Sequence, residues 1–394
     1  MRKWCVLLLI AVPLAAGCAS DPKTAAKPVA VKRWNDARSA VLLSLARDEY
    51  NNQNFQRSRQ TIDEAIRLSP DNAASRVLSA KLYIEQGQLE AAEHELATAR
   101  QLAPTNAEAD YLSGVIYQRW QQPERALEFY QHACDKAPAD LAYLLAKAEM
   151  LVAMDRRAEA LSVLEEKVTY FEHSGVIRDE VGLLLIQQGR PAEAVEMFRR
   201  ASILAPDDAT IREHLGMSLY YAQRYADAID VLGPLLKDSR YAQRADLWLT
   251  LGECQLNFGH AGEAVTDLQL AAAAMPNAAG IWLSLARAQM QLGNLRGADV
   301  ALRRSVSLDS DNPQSHLLMG YLRLRQGRYG EALTAFGRSS QLDPSDTVSL
   351  CMIGYTLEKL GRNEQAMKLY ERALKLKPQD EMATQLIAGL NSHE

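Results

Sequence analysis

Proline recurs along this chain with a period of 34 residues, and that period limits what the chain can fold into. Pro70, Pro104 and Pro138 are 34 residues apart, as are Pro344 and Pro378. Pro206 lies two periods beyond Pro138, with Glu172 on the missing beat, and Ser310 stands midway between Pro276 and Pro344. The one break is the 70-residue step from Pro206 to Pro276, two periods plus two. A fixed repeat of roughly 20–50 residues means that one supersecondary unit stacks on the next to bury a continuous core. Such an array can use all 394 residues as one body. Apolar residues at 48% supply a sizeable core, and aromatics at 7% with abundant alanine favour closely packed helices over sheet.

Aligning the periods exposes three columns. Twenty-four residues before each mark stand Ala46, Ala80, Gly114, Ala148, Gly182, Gly216, Gly252, Ala286, Gly320 and Gly354. Twelve before it stand Ser58, Ala92, Ala126, Ala160, Ala194, Ala228, Ala264, Ala298, Ala332 and Ala366. Small side chains in both columns let the two helices of a hairpin approach closely. Eight before the mark is always large: Ile62, Leu96, Tyr130, Leu164, Phe198, Leu232, Leu268, Leu302, Phe336 and Tyr370. These knobs are expected to fill the gap toward the next repeat. Gly87, Gly189, Gly259, Gly293, Gly327 and Gly361 fall where the first helix must end and the chain turn.

These columns resemble the tetratricopeptide repeat (TPR), a 34-residue helix–turn–helix. Repeat seven carries the signposts in Trp248, Leu251-Gly252, Gly259, Ala264, Leu268, Ala271 and Pro276, and repeat three in Gly114, Tyr117, Ala126, Tyr130, Ala133 and Pro138. The resemblance covers residues 39–378 and implies an all-α fold, a right-handed superhelical solenoid of about ten repeats. Residues 379–394 continue with Met382, Leu386, Ile387 and Leu390 among polar residues, an amphipathic capping helix for the last repeat. Two places depart from the pattern. Repeat four lacks the terminal proline and has Lys167 where a small residue is expected, and repeat six has Gly233-Pro234 inside its second helix. Residues 233–244 therefore form either a seam between repeats 1–6 and 7–10 or a surface loop.

The first residues read as a secretory signal. Arg2 and Lys3 precede an uncharged, mostly apolar run from Trp4 to Ala16 that is too short to span a bilayer comfortably. It ends in Leu14-Ala15-Ala16-Gly17-Cys18, which resembles the lipobox of bacterial lipoproteins, with leucine four residues ahead of the cysteine rather than three. The resemblance implies removal of residues 1–17, acylation of Cys18 and membrane attachment by several acyl chains. With Ala19 rather than aspartate next, it implies the periplasmic face of the outer membrane in a Gram-negative host. Residues 18–38, with Pro22, Pro28, Lys23, Lys27, Lys32 and Arg33, are expected to be a flexible tether whose lysines are solvated or lie on anionic lipid. The whole chain has 44 Lys+Arg and 49 Asp+Glu; losing Arg2 and Lys3 and no acid leaves 42 against 49, a net of −7. A mildly acidic body argues against nucleic acid.

Catalytic chemistry is not legible. His94, His132, His173, His214, His260, His316 and His393 are scattered, with no metal-binding spacing, and no nucleophile elbow, phosphate loop or paired-cysteine motif is present. Cys134, Cys254 and Cys351 are far apart and fall in expected helices, where cysteine serves as a small hydrophobe. No cofactor, metal or small-molecule substrate is therefore expected.

In TPR proteins, positions 2, 5, 9, 12 and 13 of each first helix line a concave groove. Carried onto this chain, the aromatics there include Tyr50, Tyr111, Tyr220, Tyr221, Tyr321 and Tyr355. Repeats four to seven supply Glu149, Asp179, Glu213, Asp246 and Glu253 with no Lys or Arg, whereas repeats eight and nine supply Arg287 and Arg325. Position 9 reads Arg47, Lys81, Val115, Glu149, Leu183, Met217, Glu253, Arg287, Tyr321 and Tyr355, so the asparagine-centred dicarboxylate clamp of chaperone-binding TPR proteins is absent. An acidic wall with tyrosines would favour a partner segment with Lys or Arg beside apolar residues. The resemblance implies a membrane-anchored adaptor for envelope assembly, of the kind serving pili, secretins, outer-membrane protein insertion or polysaccharide export. A regulator docking on periplasmic cell-wall enzymes is the alternative, and an enzyme is the third.

Overall fold

The computed structural model describes residues 22–391, with side chains from Val29 onward. The signal segment 1–17 and Cys18 lie outside the described residues. Among those described there are 21 helices and no strand, which is ten hairpins and a final helix. The chain divides after Lys167 into two compact units.

The first unit holds repeats one to four: α1 (Pro22–Asn51), α2 (Phe55–Leu68), α3 (Ala73–Glu85), α4 (Leu89–Leu102), α5 (Ala107–Arg119), α6 (Pro123–Lys136), α7 (Leu141–Ala153) and α8 (Arg157–Lys167). The second holds repeats five to ten: α9 (Gly175–Gln187), α10 (Pro191–Leu204), α11 (Ala209–Tyr221), α12 (Tyr225–Leu236), α13 (Ala245–Phe258), α14 (Ala261–Ala274), α15 (Ala279–Gln291), α16 (Leu295–Leu308), α17 (Pro313–Arg325), α18 (Tyr329–Leu342), α19 (Thr347–Lys359) and α20 (Asn363–Leu376). A final helix, α21 (Glu381–Asn391), lays Ala383 and Leu390 on Leu350, Leu357 and Tyr370, as expected of a cap.

Each hairpin is built on the same contact. All ten small residues twelve before the mark, from Ser58 to Ala366, have no exposed surface. A Cβ added to Gly252 would stand 2.6 Å from Leu268 Cγ, and one added to Gly114 would stand 2.5 Å from Tyr130 Cε1. Gly182 meets Phe198, Gly320 meets Phe336 and Gly354 meets Tyr370 in the same way. The knobs therefore fit most closely within their own hairpin, a correction to the expectation that they mainly bridge to the next repeat. They touch the next repeat as well, since Leu268 shares a cluster with Leu285 and Ala286.

The proline mark has a second use. Two residues beyond it stand Asn72, Asn106, Asp140, Asp208, Asn312, Asp346 and Asp380, and each side chain accepts a hydrogen bond from a backbone N–H of the helix that follows. These are N-caps, each worth about 1 kcal/mol. All ten hairpin turns contain a left-handed residue. Six are the expected glycines, and Gln53, Gln121, Asp155 and Gln223 take the same conformation at φ near 60°.

Two expectations need correction. Residues 22–38 are not an extended tether, because α1 begins at Pro22, where proline suits a first helical turn, and runs through an alanine- and lysine-rich stretch. Its later part is docked: Ser69 Oγ donates to Asp36 (2.7 Å), Arg38 pairs with Glu64 (2.6 Å) and Ser39 Oγ donates to Ala65 O (2.9 Å). The compact units also do not divide at 233–244, where Leu232, Leu235 and Leu236 pack continuously with Leu247 and Leu251. They divide after Lys167, which occupies a column that elsewhere reads Ala65, Ala99, Ala133, Ala201, Leu235, Ala271, Ser305, Ser339 and Ala373, all buried and uncharged. A lysine cannot enter that close crossing, and α8, at 11 residues, is the shortest second helix.

Candidate functional site

In the first unit, the first helices α1, α3, α5 and α7 frame two adjoining cavities of about 180 and 330 Å³ that share Tyr50, Lys81 and Glu108. Helical periodicity puts these side chains on the face turned away from each hairpin's second helix. Tyr50 donates to Glu85 (3.1 Å), and Lys81 pairs with Glu108 at 2.5 Å. Tyr111 stacks on Tyr143 with centroids 4.9 Å apart and 30° between planes, and it leans on the knob Tyr130 at 5.7 Å. Burial pushes the Tyr50 and Tyr143 phenols up to about 12, so both remain neutral donors. Arg47 lines the open end. Of these residues, Arg47, Tyr50, Lys81, Glu85, Glu108 and Tyr111 all occupy groove positions 2, 5, 9, 12 or 13, although the sequence singles out only Arg47, Tyr50, Lys81 and Tyr111. Tyr143 lies one position outside them, at position 3 of its helix.

Glu149 is also in the first unit, exposed on α7, where it accepts from Gln118 Nε2 at 3.3 Å. The other expected acids are on α9, α11 and α13 of the second unit, and they are already engaged. Arg244 grips both Glu213 (2.6 and 3.2 Å) and Asp246 (2.9 and 2.7 Å). Its guanidinium holds the Asp246 carboxyl below the usual range. Asp179 bonds His214 Nδ1 at 2.9 Å, and that hydrogen bond raises the imidazole pKa. Glu253 accepts from Tyr220 (2.6 Å) and Ser284 (2.7 Å). These acids are not uncompensated, because Arg244, the N-cap residue of α13, lies outside the groove columns 2, 5, 9, 12 and 13 in which charge was counted.

The remaining expected groove residues are dispersed in the second unit. Tyr221 is exposed beside Tyr220, with centroids 5.5 Å apart. Arg287 is exposed on α15, and Arg325 donates to Met290 O at 3.0 Å. Tyr321 meets Phe336 edge-on at 5.4 Å, and Tyr355 lies under the Lys359 ammonium at 4.9 Å. These two rings serve packing as much as display.

Cys254 and Cys351 are buried, their thiols pushed up to about 12 and about 11 by burial, and Cys134 is half-buried. All three are free thiols in a hydrophobe's place. Among the described residues no three His, Cys, Asp or Glu side chains are grouped to hold a metal ion.

This chain is similar to several known proteins over part or most of its length. A 115-residue stretch is 24% identical to anaphase-promoting complex subunit 3 of Schizosaccharomyces pombe (strain 972 / ATCC 24843), covering 29% of this chain and 17% of that protein's length. Among solved structures, the APC/C hetero-tetramer Cut9-Hcn1 aligns over 90% of each chain at 14% identity and TM-score 0.46. Yeast Tom70 aligns over 91% of this chain and 89% of its own at 12% identity and TM-score 0.44. Residues 50–116 match the family model described as "Tetratricopeptide repeat". Residues 155–393, more than half of the chain, match the one described as "Cilia and flagella-associated protein 70 C-terminal domain", and the chain thus belongs to the tetratricopeptide-repeat family in the branch that model describes.

Proposed function

We propose that this chain is a protein-binding scaffold, held to a membrane by lipid on Cys18, that brings together components of an envelope assembly machine. TPR proteins act generally as protein–protein interaction scaffolds. The observation that carries partner binding is the groove of the first unit, where Tyr50, Tyr111 and Tyr143 stand beside Arg47, Lys81, Glu85 and Glu108. Two small, open, adjoining cavities suit successive side chains of an extended segment. Tyrosine held by stacking offers large contact area with little rotamer freedom to lose. The mixed charges favour a segment with both signs flanking an apolar anchor.

The membrane part of this reading is supported by the basic, apolar and Gly17-Cys18 succession of the first 18 residues. The setting that fits it is the periplasmic face of an outer membrane, serving pilus, secretin, outer-membrane protein or polysaccharide-export assembly. Affinity purification of the lipidated protein from its own membranes, followed by partner identification, tests the adaptor role. Recovery of an envelope assembly component supports it, and recovery of cell-wall enzymes alone would replace it with the regulator reading. Cys18→Ser tests the anchor: the variant should no longer incorporate labelled palmitate, and unchanged labelling would end the lipoprotein reading.

A further inference from the structure

The first helix presents an apolar face that no described part of the chain covers. Val31, Trp34, Val41 and Leu45 are 58%, 69%, 70% and 48% exposed. Spacings of three, seven and four residues place them along one stripe of α1. The opposite side buries Ser39, Leu43 and Ala46 against the first hairpin. From Trp34 to Leu45 the stripe runs roughly 16 Å along the helix axis. The same helix is locally basic in an acidic protein: between 22 and 38 it carries Lys23, Lys27, Lys32, Arg33 and Arg38 against Asp36 alone. Lys32 and Arg33 are exposed.

We infer that α1 is an interfacial helix that lies along an anionic lipid bilayer through Val31, Trp34, Val41 and Leu45. This rests on the lipid-anchor reading of Cys18, and two features of the chain select this occupant. Cys18 is only four residues ahead of Pro22, so acyl chains there would hold the start of α1 at the headgroup level. The surplus of basic residues complements anionic headgroups, whereas a symmetric dimer seated on this stripe would set the basic residues of two copies against each other. The helix lies along the bilayer instead of crossing it, since no described helix is long and apolar enough to span one. Tryptophan at the headgroup boundary and lysines beside an apolar stripe are what such helices use. An acyl anchor combined with a basic helix that exposes an apolar stripe supplies two attachment signals and fixes how the first hairpin is presented.

The test uses the chain from Ala19 onward, which retains every described residue and has no acylation site, so its outcome does not depend on whether Cys18 is modified. It should co-sediment with vesicles of phosphatidylcholine containing phosphatidylglycerol and bind pure phosphatidylcholine much less. Trp34→Ser with Val41→Ser and Leu45→Ser should weaken partitioning about tenfold or more, and Lys32→Glu with Arg33→Glu should weaken it and its salt dependence. Both variants alter exposed residues, and unchanged circular dichroism would show the helices intact. No binding of the unaltered chain to anionic vesicles would overturn the proposal, as would binding indifferent to both variants. A dimer in sedimentation equilibrium that the triple serine variant converts to monomer would overturn it too, assigning the stripe to a second copy.

Discussion

The first-helix faces of the two units present opposite electrostatic situations with similar residues. In the first unit, Tyr50, Tyr111 and Tyr143 border open cavities, Lys81 pairs with Glu108, Tyr50 donates to Glu85, and exposed Arg47 lines the smaller cavity. In the second, Glu213, Asp246, Asp179 and Glu253 are each satisfied by Arg244, His214, Tyr220 or Ser284. Carboxylates that already accept short hydrogen bonds must give them up before a new cation can replace the partner, so little net affinity remains to be gained. A tally of acids along a groove is therefore not a measure of its field. What separates the two faces is that the first unit lines open cavities with stacked tyrosines, whereas the second offers acids already closed off by their own partners.

The largest effect expected from breaking this comparison comes from beneath the first-unit groove. Gly114→Leu forces Tyr130 out of its seat, and Tyr130 in turn supports Tyr111. Overpacking at such a crossing costs about 1–3 kcal/mol or more. The variant should show a lower thermal midpoint and lose partner capture. Gly252→Leu, under Leu268, should lose comparable stability but keep partner capture at temperatures where it remains folded. Loss of capture in both would remove the distinction between the faces.

Next in size is the groove itself. Tyr111→Ala combined with Tyr143→Ala should weaken partner binding by about tenfold or more, as expected of aromatic anchors. Asp179→Asn with Glu213→Gln and Asp246→Asn should change it less than about threefold. Titration of both variants against the captured partner measures the contrast, and a reversed order would return recognition to the second unit.

Arg244→Ala sharpens the comparison from the other side. The pair is partly exposed, so the stability cost should stay near or below about 1 kcal/mol. Glu213 and Asp246 would then be free, and a fluorescent lysine-rich peptide should gain affinity for the protein, more at low salt than at high. No gain would mean that Arg244 does not mask these acids.

The smallest effect is the pH response of His214. Its pKa is raised in the folded protein, chiefly by the hydrogen bond to Asp179. The pair thus contributes stability that is complete below the ordinary imidazole range and fades as pH rises through the raised value. Unfolding free energies measured from pH 5 to 8 should show a decline of about a few tenths of a kcal/mol that His214→Gln abolishes.

Much of the scaffold was legible in the chain, because a repeat states each packing rule ten times. The aromatic knobs Tyr130, Phe198, Phe336 and Tyr370 all face glycine, whereas alanine faces only Ile62, Leu96, Leu164 and Leu302, so steric complementarity shows directly in the columns. The N-cap at the second residue past the proline was equally readable as a recurring Asn or Asp. The units divide after Lys167, whereas the helix-breaking Gly233-Pro234 is accommodated within continuous packing of Leu232, Leu235 and Leu236 on Leu247 and Leu251. The site was less legible. Arg244 stands at the N-cap position of α13, where most other repeats carry Asn or Asp, and its reach to Glu213 across 31 residues is a property of the fold. Tyr143 sits a single helical position from the groove columns, and only its stacking on Tyr111 brings it into the groove. Prolines near the N-terminus suggested a tether, but helix propensity over the alanines and lysines and the docking of Asp36 and Ser39 on the second helix produced α1 instead.

The most direct test of the central claim is photo-crosslinking in native membranes, with benzoylphenylalanine placed singly at Tyr50, Tyr143, Tyr221 and Ile203. Tyr50 and Tyr143 line the first-unit groove, Tyr221 is exposed on the second unit's first-helix face, and Ile203 is exposed on a second helix. A groove that holds the partner predicts adducts of one defined mass from positions 50 and 143 and none of that mass from 221 or 203. Adducts from 221 or 203 with none from 50 and 143 would contradict it.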